Sequence, residues 1–290
     1  MIFRGSRTLC LEYSLVLEAR GVEHDAREAQ DSWVVTVPPS LAARAEDEIR
    51  RYTAERNLPR GAPRRMKPFP GAATGAIAYV LVLLLTAFCA GQGMFGKDWL
   101  AAGELEAGVR PDWWRAATAL TLHLDQMHLL GNLLFGVIAG LAVARLFGPG
   151  VAWLSILGAG ACANFAEMLI APASHHAIGA STAVFAALGL LAGFAWRERL
   201  SLRERLWYRW APLIAGICLL TLLGAGDGHV DILGHALGFL FGVAGGWVLA
   251  YWGVPTHRDK RLQILAGAAA AVVVGTAWLV ALRASVGGPL

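Results

Sequence analysis

Charge is scarce in this chain. Only 16% of its 290 residues are Asp, Glu, Lys or Arg, well below the quarter or so usual in soluble domains. With 56% hydrophobic residues and a mean hydropathy of +0.51, an ordinary soluble enzyme is excluded and the membrane class is favoured. Cysteine is scarce too. Cys10, Cys89, Cys162 and Cys218 are scattered with no CxxC pair, which argues against a zinc ribbon or a disulfide framework. There is no His-Glu-x-x-His, and no carboxylate cluster is visible along the chain, so neither a metal nor another cofactor is expected. Nucleic acid is not an expected partner. The first thirty residues are charged and lack a continuous apolar core, so no cleavable signal peptide is expected there.

What the chain does hold is glycine, 34 residues of it, and a series of long apolar runs. Small residues are the usual currency of helix packing in lipid, where burial of apolar surface drives nothing. Residues 1–58 read differently, as a small soluble α/β domain of roughly helix-strand-strand-helix order. Cys10 to Ala19 has helical spacing, Trp33-Val34-Val35-Thr36-Val37 is β-like before Pro38-Pro39, and Ser40 is a candidate N-cap for a helix reaching about Glu55. No catalytic motif appears in it; an accessory role with an unknown partner is expected. Residues 59–71 form a basic, proline-rich linker with Arg60, Arg64, Arg65 and Lys67.

About 20 apolar residues cross a bilayer. Spans are expected near 72–91, 125–146, 150–170, 179–196, 210–226, 229–250 and 262–282. Alternate junctions carry Arg64-Arg65-Met66-Lys67, then Arg145, then Arg197, Arg199, Arg203, Arg205 and Arg209, then Arg258, Lys260 and Arg261. The opposite junctions hold only Lys97, Arg110, Arg115 and Arg283. Basic residues stay cytoplasmic, so the expected N-terminus is inside and the C-terminus outside. The loop from Gln92 to Leu122, with Trp99, Trp113 and Trp114, is expected to anchor in the headgroup interface.

Three of these runs carry polar residues at their outer ends. The second begins near His123 and holds His128 and, one turn later, Asn132; the fourth holds Gly179 and Ser181; the sixth holds His235, Gly238 and Gly242. Polar groups in lipid are costly and face the bundle interior. A Ser–His pair can serve as nucleophile and general base. An Asn amide and the N–H groups of a helix N-terminus can hold an oxyanion. Gly238 and Gly242 lie on the His235 face and permit close helix approach. Phe185, one turn after Ser181, is placed to pack on the imidazole. Asp231, one turn before His235, either orients it or faces the surface.

Together, His-x4-His-x3-Asn (His123, His128, Asn132), Gly-x-Ser (Gly179, Ser181) and His-x2-Gly-x3-Gly (His235, Gly238, Gly242) resemble the rhomboid family of intramembrane serine proteases over roughly residues 110–250. The Trp113-Trp114-Arg115 approach is similar as well. The resemblance implies an all-α polytopic membrane protein. Its six-helix core would cover residues 72–250, with residues 251–290 adding a basic loop and a seventh span, and a small soluble α/β N-terminal domain in front. It implies Ser181 as nucleophile and His235 as base. His128 and Asn132 would line the oxyanion hole, and His123 would support them. It also implies membrane-protein substrates with locally unstable transmembrane helices, and a site towards the outer side of a bilayer, expected to be a bacterial plasma membrane. Where the family often has Tyr four residues after the serine, this chain has Phe185; where it has Ala before the histidine, this chain has Gly234.

Two other readings compete. A non-catalytic rhomboid-like client binder would typically lack the serine or the histidine, and both are present. A metalloenzyme or metal transporter could use His123, His128, His175, His176 and His229, all expected near the outer face.

Overall fold

A computed structural model describes residues 2–29, 32–57, 68–108, 112–201, 210–211, 213–218, 231–253 and 259–285. The linker cations Arg60, Arg64, Arg65 and Lys67 lie outside the described residues. So do Arg110, Pro111, Arg203, Arg205, Arg209, His229, Arg258 and most of the fifth expected span. The chain divides into two compact units, Met1–Pro63 and Arg64–Leu290.

In the first unit, the Ser6 hydroxyl accepts from the Leu9 N–H and starts helix α1, Arg7–Ala19. Cys10, Tyr13 and Leu17 fall on its buried face. Strands β1 (Phe3–Gly5), β2 (Asp25–Ala29) and β3 (Ser32–Thr36) form an antiparallel sheet ordered β1-β3-β2. Helix α2 spans Ala42–Asn57. Two expectations need correcting. The element order includes a strand before the first helix, too short and too polar to signal itself. Ser40 is not an N-cap: it lies inside a 3₁₀ turn, Pro39–Leu41, because the fixed φ of Pro39 suits the first position of a tight helical turn.

The second unit is built on long helices: α3 (Ala72–Gly91), α6 (Gln126–Phe147), α7 (Pro149–Ile170), α8 (Ser181–Ser201), α9 (Ile232–Tyr251) and α10 (Lys260–Ala284). Between α3 and α6 lie short helices α4 (Trp99–Gly103) and α5 (Arg115–Thr118) and strand β4 (Leu105–Glu106), which pairs with β5 (His176–Ala177). Among the described residues, α3, α6, α7, α9 and α10 are long and apolar enough to cross a membrane. Residues 213–218 are helical too.

The C-terminal helix is fastened at both ends. The Gln263 Oε1 accepts from the Gly150 and Val151 N–H groups at 2.9 and 3.1 Å, while its Nε2 donates to the Phe147 carbonyl at 3.0 Å. One side chain thus caps the end of α6 and the start of α7, where backbone groups lack helical partners. At the other end, Trp278 Nε1 donates to Thr121 Oγ1 at 3.1 Å. Gln263→Leu leaves those three backbone groups unpaired and is expected to cost about 2 kcal/mol. Thermal unfolding in detergent measures this; an unchanged midpoint contradicts the capping role.

The tryptophan-rich loop also differs from expectation. Trp99 is only 7% exposed and its ring lies 4.6 Å from that of Trp278, so it is a core contact rather than an interfacial anchor. Trp114 is held by its Nε1 donating to the Ala102 carbonyl; Trp113 remains exposed. Arg115 organises the loop from within. It donates to the Glu104 carbonyl at 2.7 Å and to Asp112 at 3.1 Å.

Candidate active site

The backbone delivers Ser181 to its place through a strap of hydrogen bonds. The Ala107 N–H donates to the His175 carbonyl at 3.1 Å, β5 pairs with β4, and the Gly179 N–H donates to the Ala119 carbonyl at 3.0 Å. Gly179 has φ +137°, which a side chain would strain. A Cβ there would also fall 2.7 Å from the His128 ring. The glycine two residues before the serine is therefore required twice, by its own backbone and by the imidazole beside it. Ser181 then opens α8, where the first N–H groups have no intrahelical acceptor.

His235 sits one turn into α9. The Asp231 carboxylate caps that helix by accepting the Gly234 N–H at 2.8 Å. Helices α8 and α9 approach so closely that backbone meets backbone. A Cβ on Gly238, Gly242 or Gly246 would lie under 3.0 Å from the Thr182, Ala186 or Leu190 carbonyl oxygen in turn. Gly189 and Gly193 face the Phe239 and Val243 carbonyls in the same way. The contact is a two-sided glycine zipper with a four-residue step, and its first tooth lies next to the histidine. It brings His235 Nε2 within 2.7 Å of Ser181 Oγ, 54 residues apart in the chain. The Phe185 ring lies 4.5 Å from the imidazole and covers its face. His235 is 6% exposed, and its Nδ1 meets no hydrogen-bond partner among the described residues. Asp231 is thus a helix cap and not a third member bonded to the ring.

Helix α6 supplies the next wall. Asp125 caps it by accepting the His128 N–H at 2.8 Å, which sets the His128 ring against Gly179. Asn132 is buried, and one amide hydrogen goes to the His128 carbonyl at 3.2 Å; the other has no acceptor among the described residues. His123 precedes the helix, its ring 5.1 Å from that of His128. Neither His123 nitrogen has a hydrogen-bond partner among the described residues. Partly buried beside that ring, His123 packs against His128 as an aromatic plate.

The five histidines weighed as zinc ligands do not converge. His175 Nε2 lies 2.9 Å from Glu167 Oε1 and His176 pairs with Glu104, away from His123 and His128; His229 lies outside the described residues. The expectation that no carboxylate cluster exists is overturned. Glu167, His175 and Asp231 each place a ligand atom within 4.8 Å of the others. Residues 167 and 231 are too far apart in sequence for spacing to reveal this. A lone glutamate in the otherwise uncharged α7 was the available signal.

Residues 110–252 match the family model for the rhomboid domain. Just under half of the chain thus resembles that domain. With its long apolar helices, the chain is an integral multi-pass membrane protein. It is 31% identical over 135 residues to "Rhomboid protease GluP" of Bacillus subtilis (strain 168), covering 45% of this chain and 25% of that protein. It is 32% identical over 168 residues to "Rhomboid-like protease 2" of Toxoplasma gondii, covering 56% of this chain and 57% of that one. The chain therefore spans a quarter and somewhat over half of these relatives' lengths. The matched residues include Ser181, His235, Asn132 and both histidines of the α6 wall, while the first unit lies outside them.

Proposed function

We propose that the rhomboid-like part of the chain is an intramembrane serine endopeptidase working through a Ser181–His235 dyad. The observation that carries this reading is the 2.7 Å approach of Ser181 Oγ to His235 Nε2, across a helix contact that glycine alone permits. For Nε2 to accept the hydroxyl proton, Nδ1 must hold the ring hydrogen, and the fit against Phe185 rather than a carboxylate keeps the ring oriented.

In the proposed reaction, Ser181 Oγ attacks a peptide carbonyl as His235 takes its proton. The negative charge forming on the carbonyl oxygen is met by the Ser181 N–H, the free Asn132 amide hydrogen and the His128 ring. Collapse of this intermediate breaks the C–N bond. His235 returns the proton to the leaving amine, and an acyl-serine remains. Water, deprotonated by His235, then hydrolyses the ester and regenerates the hydroxyl. The substrate is a membrane protein whose transmembrane helix unwinds near its outer end. Its freed backbone groups need a wet site, because lipid cannot satisfy them.

The topology belongs to the same proposal. A seven-span arrangement puts the first unit in the cytoplasm and Ser181 towards the outer side of a bacterial plasma membrane. It follows from the basic residues at alternate junctions.

The test is cleavage of a panel of tagged single-span membrane proteins by the purified chain in liposomes. Asn132→Ala is expected to lower kcat by a factor of about 10² with little change in KM. An unchanged kcat removes Asn132 from the oxyanion site. Failure to cleave any substrate on the panel, by protein that remains folded, counts against the reading as a whole.

A further inference from the structure

Glu167 is the one charged residue of α7, and it is fully buried. An ionised carboxylate inside a helix bundle is expensive unless something of opposite charge meets it. Its Oε1 lies 2.9 Å from His175 Nε2, and its Oε2 makes no hydrogen bond of ordinary geometry among the described residues beyond the Asp231 carboxylate and Gly234 backbone that it faces. That oxygen is aimed at a second carboxylate. Asp231 spends Oδ1 on the Gly234 N–H at 2.8 Å, and its Oδ2 is turned to the same space. A Cβ built on Gly234 would crowd both Asp231 Oδ2 and Glu167 Oε2. Position 234 is therefore bare of a side chain where two acidic groups meet.

Two facing carboxylates and an imidazole are met either by a proton shared between the two acids or by a cation. A shared proton serves only two oxygens and neutralises one charge. A divalent cation neutralises both and uses all three donors. A tetrahedral site with bonds of about 2.1 Å sets its donors about 3.4 Å apart. The three donor atoms already lie within 4.8 Å of one another. Hard cations such as Ca²⁺ or Mg²⁺ seek six or more oxygens, whereas an imidazole with two carboxylates suits a first-row transition metal with water at the open position.

We propose that Glu167, His175 and Asp231 form a binding site for a first-row divalent cation such as Zn²⁺ or Mn²⁺. The three ligands come from the end of α7, from the segment that leads through β5 to Ser181, and from the cap of the helix that bears His235. The Asp231 carbonyl accepts the His235 N–H at 3.1 Å. A bound cation would tie these three pieces together without touching either member of the dyad.

The experiment uses the full chain in detergent, purified through a tag without histidine, stripped with chelator and desalted. Zn²⁺, Mn²⁺, Ca²⁺ and Mg²⁺ are each added, excess is removed, and retained metal and the thermal midpoint are measured. One equivalent of Zn²⁺ or Mn²⁺ per chain and a midpoint several degrees higher are expected, with no comparable effect of Ca²⁺ or Mg²⁺. His175→Ala, in a partly exposed loop that tolerates truncation, and the near-isosteric Glu167→Gln are both expected to lose retention. His176→Ala is expected to keep it. Equal retention by wild type and His175→Ala overturns the site, as does no retention by wild type. Glu167→Gln raising the midpoint of metal-free protein, with no metal retained by wild type, identifies a shared proton instead. None of these readouts involves proteolysis, so their failure leaves the reading of Ser181 and His235 untouched.

Discussion

Ser181→Ala is expected to reduce cleavage of a reconstituted membrane substrate by at least about 10⁴-fold while leaving the helix bundle intact. The hydroxyl is the only atom lost. It sits at a helix start and is part-buried, so its removal opens no sizeable cavity and strands only the His235 Nε2. His235→Ala is expected to cost a similar factor, because a nucleophile without its base and a base without its nucleophile fail together. For the same reason the double variant should be no worse than either single one, the signature of residues acting as a unit. Circular dichroism and thermal unfolding in detergent check the fold, and substrate turnover in liposomes checks the rate. A Ser181→Ala protein that still cleaves at the wild-type position removes the dyad from the account.

Gly242→Ala is expected to cost about 3 kcal/mol and to lower cleavage at least tenfold, although the residue touches no reacting atom. The added methyl would lie under 3.0 Å from the Ala186 carbonyl oxygen and its carbon. Both partners are backbone inside regular helices, so no side chain can swing aside. The helices must separate, and the Ser181–His235 distance depends on their contact. Gly158→Ala in α7 is the fitting comparison, since a Cβ there meets nothing within 4 Å and alanine is the better helix former by up to about 1 kcal/mol. The Gly158 variant should be as stable as wild type or more so. Equal stability of the two variants would show that the glycine contact does not control the spacing of α8 and α9.

The apolar runs made the long helices legible. The expected 72–91, 125–146 and 150–170 fall within a residue or so of Ala72–Gly91, Gln126–Phe147 and Pro149–Ile170. Helix signals are local, and caps such as Asp125 lie a few residues from what they cap. The teeth of the α8–α9 contact were half visible. Gly238 and Gly242 stood out beside His235, but Gly193 and Gly246 carry meaning only once the opposing carbonyls are known. Gln263 gave no signal at all, because its partners Phe147, Gly150 and Val151 lie over a hundred residues away. Trp99 misled for a related reason: a tryptophan in a loop reads as an interface anchor until Trp278 arrives from the far end of the chain. Glu167 and Asp231 show the same limit at the site itself. Local pattern reveals which residues are unusual, and only packing reveals which of them meet.

The most direct test of the proposed dyad is covalent labelling of the detergent-solubilised full chain with a fluorophosphonate probe, followed by mass-spectrometric mapping of the adduct. An ordinary serine hydroxyl does not react; one hydrogen-bonded to a base does. The account predicts a single adduct on Ser181, lost in Ser181→Ala and strongly reduced in His235→Ala. An adduct on another residue, or labelling of Ser181 that is unaffected when His235 is removed, would contradict it.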